Sequence, residues 1–119
     1  MANIPPDPLE DGGIARFADE IRAGRVTSEA VTTAYLARIE ALDGRLGAYE
    51  HVAGDRALAQ ARALDALLAA GTDLGPLMGV PVAIKDLIAV TDMPTTAGSN
   101  VDVADLIGPE GAFVGMLKR

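Results

Sequence analysis

The 119-residue sequence carries a formal net charge of −7 and is 50% hydrophobic but only 3% aromatic. This composition allows a core built mainly from Ala, Val, Leu and Ile, and it argues against intrinsic disorder. The absence of Cys excludes a disulfide framework, a thiolate zinc site and a cysteine nucleophile, and the single His argues against a His-based metal cluster. The acidic balance lacks the basic footprint of nucleic-acid binding, and no cofactor is expected.

The first residues, 1–12, are predicted to form an extended arm because Pro5, Pro6 and Pro8 disfavour a helix there. The segment has neither the basic start nor the apolar run of a secretory signal. No later stretch is apolar enough for a membrane span, so no membrane partner is expected. Together with the lack of Cys, this favours a cytoplasmic location.

Residues 13–71 are predicted to be a helical region with one short strand. A first apolar stripe has the i, i+3, i+4, i+7 spacing of a helix face and comprises Ile14, Phe17, Ala18 and Ile21. Gly24 is expected to end this helix. Thr27 is expected to cap a second helix, whose stripe comprises Val31, Tyr35, Ile39 and Leu42 and which Gly44 is expected to end. Arg38 lies on that face, where its stem can pack while its head reaches the rim.

The next two predicted elements are a short strand over 46–52 and a helix over 55–70, which is rich in Ala and ends before Gly71.

The pattern changes at Gly75, and residues 75–119 are predicted to hold a lysine-bearing strand, a turn-rich loop and the start of a truncated helix. Val80–Ile84 is apolar on both alternating sets, which is typical of a strand covered on both faces. The turn-rich loop includes 92–100, and Pro109 suits the first turn of a helix that contains Phe113–Leu117. We therefore expect an α/β layer architecture in which helices pack against a sheet.

The last helix has no Gly cap and no following strand, and the predicted two-sided strand needs neighbours on both edges. The expectation is that residues 1–119 are one piece of a larger folded body, and that the rest is a second chain produced by cleavage after Arg119. The alternative is a natural small protein.

Lys85 is the candidate catalytic residue. It closes the predicted apolar strand, where an ammonium group must reach water, pair with a carboxylate or lose its proton. A desolvated, neutral Lys is a general base near pH 7, whereas a strand-end Lys that reaches solvent has no catalytic role. Asp86 points to the opposite side of a continued strand and is a poor partner for it.

Two short motifs overlap Lys85 without support from their surroundings. Val82-Ala83-Ile84-Lys85 matches the protein-kinase strand motif, but no G-x-G-x-x-G loop precedes it. A phosphate-binding P-loop is excluded because its Lys directly follows the last Gly, whereas Lys85 lies six residues after Gly79.

A longer pattern is more specific. Residues 75–86, which read GPLMGVPVAIKD, and the later 93–99, which read MPTTAGS, together resemble the amidase signature family. Residues 34–39 and 113–117 are similar to two helices of that family, so the resemblance extends from about residue 14 to 119. It implies the α/β/α fold of that family, a mixed sheet flanked by helices, of which this chain holds only the N-terminal part of a single domain.

The resemblance also implies a Ser–cis-Ser–Lys mechanism in which Lys85 is the base. In the family, the neutral Lys accepts a proton through the middle Ser, the activated Ser attacks an amide carbonyl, and water cleaves the acyl-enzyme. Both serines and the oxyanion hole lie in a Gly/Ser-rich segment well downstream, which places them beyond Arg119. The isolated chain is therefore expected to be an inactive piece of an amidase acting on non-peptide carbon–nitrogen bonds.

Other polar residues are expected to have structural roles. Ser99, Thr95 and Thr96 are interpreted as turn residues rather than nucleophiles. Met78 stands where members of the family often carry His, and His51 is interpreted as a surface or packed residue.

Two alternatives remain open. The chain could belong to the amidase subunit of a tRNA-dependent amidotransferase, which releases ammonia from glutamine, or it could be a truncated, non-catalytic interaction module. The expected partners are the rest of the enzyme and a small amide substrate, with nucleic acid only in the amidotransferase. Substrate identity and homo-oligomerisation are left open.

Overall fold

The computed structural model describes residues 4–118. Within them the chain forms five helices: α1 (Gly13–Arg22), α2 (Ser28–Leu46), α3 (Gly54–Ala69), α4 (Ala104–Ile107) and α5 (Ala112–Leu117). The chain divides into two compact units. Unit 1 contains the described residues through Tyr49 together with Ala53–Pro81, and unit 2 contains Glu50–Val52 and the described residues from Val82 onward.

Unit 1 is built by α1, α2 and α3. Its buried apolar cluster consists of Phe17 and Ile21 on α1 and Val31 on α2. Partly buried side chains that pack against this cluster are Leu9, Val26, Tyr35, Leu68 and Val80. Phe17 and Ile21 lie on the inner face of α1, which confirms this part of the predicted stripe, whereas Ile14 of the same stripe is 45% exposed.

The ends of α1 and α2 follow the predicted capping chemistry, with one exception. After α1, Gly24 has φ +68°, and the N–H of Arg25 returns to the carbonyl of Glu20 at 2.9 Å. The hydroxyl of Thr27 accepts a hydrogen bond from the Ala30 N–H at 3.1 Å, as expected of an N-cap. The prediction that Gly44 ends α2 is wrong: the helix continues to Leu46, since one interior glycine costs only about 1 kcal/mol.

The amino-terminal arm is not extended throughout. Residues 8–12 form a turn, and the Asp7 carboxylate begins it by accepting a hydrogen bond from the Leu9 N–H at 2.9 Å. Leu9 packs against the core, which fixes this segment on unit 1. The first three residues of the predicted arm lie outside the described residues.

The predicted strand over 46–52 is also wrong. Leu46 is the last residue of α2, and 47–52 has no regular secondary structure. The Asp43 carboxylate instead accepts hydrogen bonds from the backbone N–H groups of Ala48 and Tyr49, at 2.7 and 3.2 Å. The predicted helix over 55–70 agrees with α3 within one residue at each end.

A buried contact joins α2 to the loop that follows α3. The Ser28 hydroxyl donates to the carbonyl oxygen of Gly79 at 2.6 Å. Gly79 has φ +79°, and an added Cβ there would lie 2.9 Å from Ile21 Cδ1 and 3.0 Å from Ser28 Cβ. Glycine at this position therefore permits both the left-handed backbone and the close approach to unit 1's core.

Unit 2 has little apolar core of its own. Among its described residues, Val114 on α5 is the buried hydrophobic one, whereas Val101, Leu106, Phe113 and Met116 are exposed. Loops and turns make up most of it, and α4 and α5 are short.

The expected α/β fold is contradicted, because no residue from 4 to 118 is in a β-strand. Residues 80–85 have no regular secondary structure, and the Val82 side chain is 60% exposed. The apolar pattern at 80–84 indicates only that these residues are hydrophobic. A strand also requires hydrogen bonds to a neighbouring strand, and the pattern of one segment does not predict that neighbour. Among the described helices, none is both long and apolar enough to cross a membrane.

Candidate functional site

The candidate base, Lys85, lies at the start of a turn rather than at the end of a strand. The Lys85 carbonyl accepts hydrogen bonds from the N–H groups of Leu87 and Ile88, at 2.8 and 2.9 Å. These two bonds fold the backbone directly after Lys85 into a turn over residues 85–88, which we call the lysine turn. Its side chain is exposed in this chain, as are those of Val82 and Ala83. The apolar covering expected around the lysine is therefore not supplied by the described residues.

Asp86, the next residue, joins the two blocks of the sequence pattern, 75–86 and 93–99. Its carboxylate accepts hydrogen bonds from the Thr96 N–H at 2.8 Å and from the Thr96 hydroxyl. Its backbone carbonyl accepts a third from the Ala97 N–H at 2.8 Å. We call this set of contacts the Asp86–Thr96 clasp. It closes a loop in which the two joined residues are ten positions apart.

The clasp also stabilises the charged form of Asp86. The hydrogen bond from the Thr96 side chain, followed by that from the Thr96 backbone, holds the pKa of the Asp86 carboxyl below its usual value. On the other side of the clasp, Ala97 and Gly98 both have positive φ, 52° and 70°. The chain thus turns sharply where it meets Asp86.

Ser99 and Thr96 have the turn roles predicted for them. The Ser99 oxygen accepts a hydrogen bond from the Val101 N–H at 3.0 Å, and the Ser99 N–H reaches the Thr96 carbonyl at 2.9 Å. The Thr96 hydroxyl also accepts from the Gly98 N–H at 3.2 Å. Each hydroxyl therefore organises local backbone.

A second polar contact in unit 2 is centred on Glu110. Its carboxylate accepts a hydrogen bond from the Thr91 N–H at 2.8 Å and pairs with the Lys118 ammonium group. The Lys118 contact, followed by the Thr91 N–H, lowers the pKa of Glu110. Glu110 thereby links the loop after the lysine turn to the end of α5.

An open cavity of about 290 Å³ lies between that loop and the α4 region. Its lining is largely apolar and includes Val90, Met93, Pro94, Ala104, Ile107 and Glu110. Lys85 does not line it. The cavity and the candidate base are therefore separate features of unit 2.

Met78, Arg38 and His51 lie in surroundings that indicate structural roles. In unit 1, Met78 is buried, and its sulfur accepts a hydrogen bond from the Leu74 N–H at 3.3 Å. Arg38 is half-buried and donates to the Pro5 carbonyl, which agrees with the predicted packed stem. In unit 2, His51 is exposed. The described His, Asp and Glu residues form no group able to hold a metal ion.

Comparison with known proteins places these residues in a family. The family model for Amidase matches residues 30–119, which include the lysine turn and the whole Asp86–Thr96 clasp. The chain belongs to the amidase signature family. This confirms the resemblance read from the two sequence blocks.

Individual amidase relatives are similar over the same part of the chain. A glutamyl-tRNA(Gln) amidotransferase subunit of Thermobifida fusca is 52% identical over 87 residues, covering 73% of this chain and 18% of the relative. The corresponding subunits of Nocardia farcinica and Acidothermus cellulolyticus are 51% and 52% identical over 88 and 85 residues. The matched region thus spans less than a fifth of these relatives' length. No solved structure matches the chain significantly.

The clasp lies within the region that matches the amidase family, but the sequence pattern does not predict it. The sequence presents Asp86 only as a poor partner for Lys85, and nothing in its periodicity predicts a role toward Thr96. The available signal is an acidic residue in the first block and a Thr in the second, both short polar side chains suited to bonding turn backbone.

Proposed function

We propose that this chain provides the base of an amidase that cleaves a carboxylic amide C–N bond. The supporting observation is the family match across residues 30–119, because the matched region contains Lys85 and the whole of the sequence block 75–86. Lys85 is one of two lysines in the chain, and the other, Lys118, pairs with Glu110. Lys85 is thus the amine that the resemblance assigns to the reaction.

The proposed mechanism uses Lys85 in its neutral form. Its Nζ accepts a proton through the middle Ser, and the deprotonated nucleophilic Ser attacks the amide carbonyl carbon. The tetrahedral intermediate collapses as the C–N bond breaks and the leaving nitrogen takes a proton back. Water then hydrolyses the acyl-enzyme by the reverse proton path. Both serines belong to polypeptide outside this chain, which also covers the side chain that is exposed here.

The relatives favour a specific second candidate, the amidase subunit of a tRNA-dependent amidotransferase. Proteins named as subunits of glutamyl-tRNA(Gln) amidotransferase are about half identical to this chain over the matched region. In this candidate the amide is the side chain of glutamine, and the released ammonia passes to another subunit. The chemistry required of Lys85 is the same in both candidates.

The role of Lys85 can be tested in a hybrid enzyme, defined as the Thermobifida fusca amidotransferase subunit in which residues 30–119 of this chain replace the matching segment. We expect Lys85→Ala to lower kcat for glutamine hydrolysis by at least about 1,000-fold, as for other triad deletions. Lys118→Ala is the matched control and should keep most of the rate. A Lys85→Ala hybrid with near-normal kcat would remove Lys85 from the mechanism.

The two candidate functions can be distinguished with native material, because they differ in substrate and in partner subunits. The assembly purified through this chain should release ammonia either from glutamine, with partner subunits in stoichiometric amount, or from simple aryl and alkyl amides without them. The 119-residue chain alone should hydrolyse neither. Turnover by the isolated chain would contradict the proposal that the serines lie elsewhere.

A further inference from the structure

We infer that Asp86 is a positioning residue for Lys85, acting through the Asp86–Thr96 clasp. This inference rests on the proposed function, since it concerns how the chain holds its base. Asp86 directly follows Lys85, and its carboxylate and carbonyl together accept three hydrogen bonds from Thr96 and Ala97. The peptide unit that carries the lysine is thereby attached to a second segment of unit 2.

The contacts hold the carbonyl groups of two consecutive peptide bonds, which meet at the Cα of Asp86. The Lys85 carbonyl is held by Leu87 and Ile88, and the Asp86 carbonyl by Ala97. The neighbourhood offers little apolar packing to do this instead, because Val82 and Leu87 are 60% and 54% exposed. Hydrogen bonds to a charged carboxylate are stronger than neutral ones, so the clasp is the principal local restraint on Lys85.

Weakening the clasp is expected to change the position of Lys85 relative to the proton that it accepts. A general base must lie within hydrogen-bond reach of the proton it accepts, and a displacement of about 1 Å can cost about 100-fold in rate. Asn at position 86 would keep one acceptor oxygen for the Thr96 N–H but would replace the charge-assisted bond from the Thr96 hydroxyl by a weaker neutral one. The turn at Lys85 would then be held less firmly while Lys85 itself remained.

The test uses the hybrid enzyme and the variants Asp86→Asn, Thr96→Val and Thr96→Ser. We expect Asp86→Asn and Thr96→Val each to lower kcat by about 10- to 100-fold with little change in KM. Thr96→Ser keeps the hydroxyl and should keep the rate. Asp92→Asn is the matched control: it removes one carboxylate from the exposed loop that the clasp closes, and it should behave as the parent.

A double variant and a folding measurement separate positioning from general damage. Asp86→Asn combined with Thr96→Val should be no slower than the worse single variant, because both remove the same contact. Thermal unfolding of each hybrid shows whether the folded fraction at the assay temperature is unchanged. Thr96→Val keeps the Asp86 charge and both backbone bonds, so it still tests the inference if the Asp86→Asn hybrid does not fold.

The outcomes distinguish this inference from the proposed function. If Lys85→Ala abolishes turnover but folded Asp86→Asn and Thr96→Val hybrids retain normal kcat, the positioning role is wrong and the base assignment stands. If KM rises in place of the fall in kcat, Asp86 belongs to substrate binding and the positioning role is again wrong. If Lys85→Ala retains activity, both proposals fail.

Discussion

The buried hydroxyl of Ser28 donates to the carbonyl oxygen of Gly79, 51 residues later, at 2.6 Å. Ser28 is the first residue of α2, and its own N–H is held at 2.7 Å by the carboxylate of Asp65 on α3. One residue at a helix start thus joins α2, α3 and the loop at Gly79. The first of the two sequence blocks, 75–86, begins in that loop, so the packing of unit 1 fixes where this block starts.

Replacing Ser28 by Ala should destabilise the chain by about 1–3 kcal/mol. The variant leaves the buried Gly79 carbonyl without its donor, and an unsatisfied buried polar group costs its full desolvation. Equilibrium unfolding in urea measures the change. Thr33→Ala is the control, because its hydroxyl bonds only the Glu29 carbonyl on the exposed side of α2 and should change stability by less than about 0.5 kcal/mol. Equal effects of the two substitutions would contradict the role of the buried contact.

Gly79→Ala should cost more than Gly24→Ala. Both glycines have positive φ, +79° and +68°, so each substitution carries a backbone penalty of about 1–2 kcal/mol. Only at Gly79 would the new Cβ also clash, with Ile21 and Ser28, which adds about 1–3 kcal/mol for overpacking. The difference in unfolding free energy between the two variants isolates the close approach. A difference near zero would mean that the loop moves away without penalty.

The phenol of Tyr35 should titrate at unusually high pH. Burial, followed by the hydrogen bond that its hydroxyl donates to Asp7 at 2.8 Å, raises the pKa of Tyr35 to about 12. Because the folded pKa lies above the unfolded value, this contribution to stability is complete below pH 10 and is lost as the pH rises toward 12. Absorbance titration of a Tyr49→Phe variant reports Tyr35 alone. Asp7→Asn should lower the midpoint, and an unchanged midpoint would exclude the contact.

Acidification should open the Asp86–Thr96 clasp. The folded pKa of Asp86 is depressed below its usual 3.8, so the stabilisation is present above that value and is lost as the pH falls through the lower folded pKa. Carboxyl-carbon NMR of the 119-residue chain gives the midpoint directly. Thr96→Val removes the largest cause of the depression and should move the midpoint back toward 3.8. A midpoint at or above 3.8 in the parent chain would contradict the clasp.

The helices of unit 1 can be predicted because their signals are local. Phe17 and Ile21 are one turn apart on α1, and Thr27 caps α2 through a residue three positions on. The end of α2 is harder to predict because Gly44 and Gly47 are equally plausible stops by composition. Only Gly47 adopts φ +59°, where the Asp43 carbonyl accepts its N–H.

Unit 2 resists prediction because its order comes from contacts between separate segments. The apolar run at 80–84 enters unit 2 at Val82. Such a run is common to strands, buried helices and loops that other chain segments cover, and periodicity does not distinguish them. The pairing of Asp86 with Thr96 is similarly invisible to helical or strand periods. Family resemblance identifies Lys85 and both blocks, but not the hydrogen bonds that connect them.

The closed loop between Asp86 and Thr96 also limits how this part of the chain can vary in length. The carboxylate bonds both the N–H and the hydroxyl of one residue, so inserting or deleting a residue between them would offer Asp86 a different backbone position and side chain. Evolution and protein engineering alike should therefore preserve the spacing across this loop, while length changes accumulate in connections that no such double attachment closes.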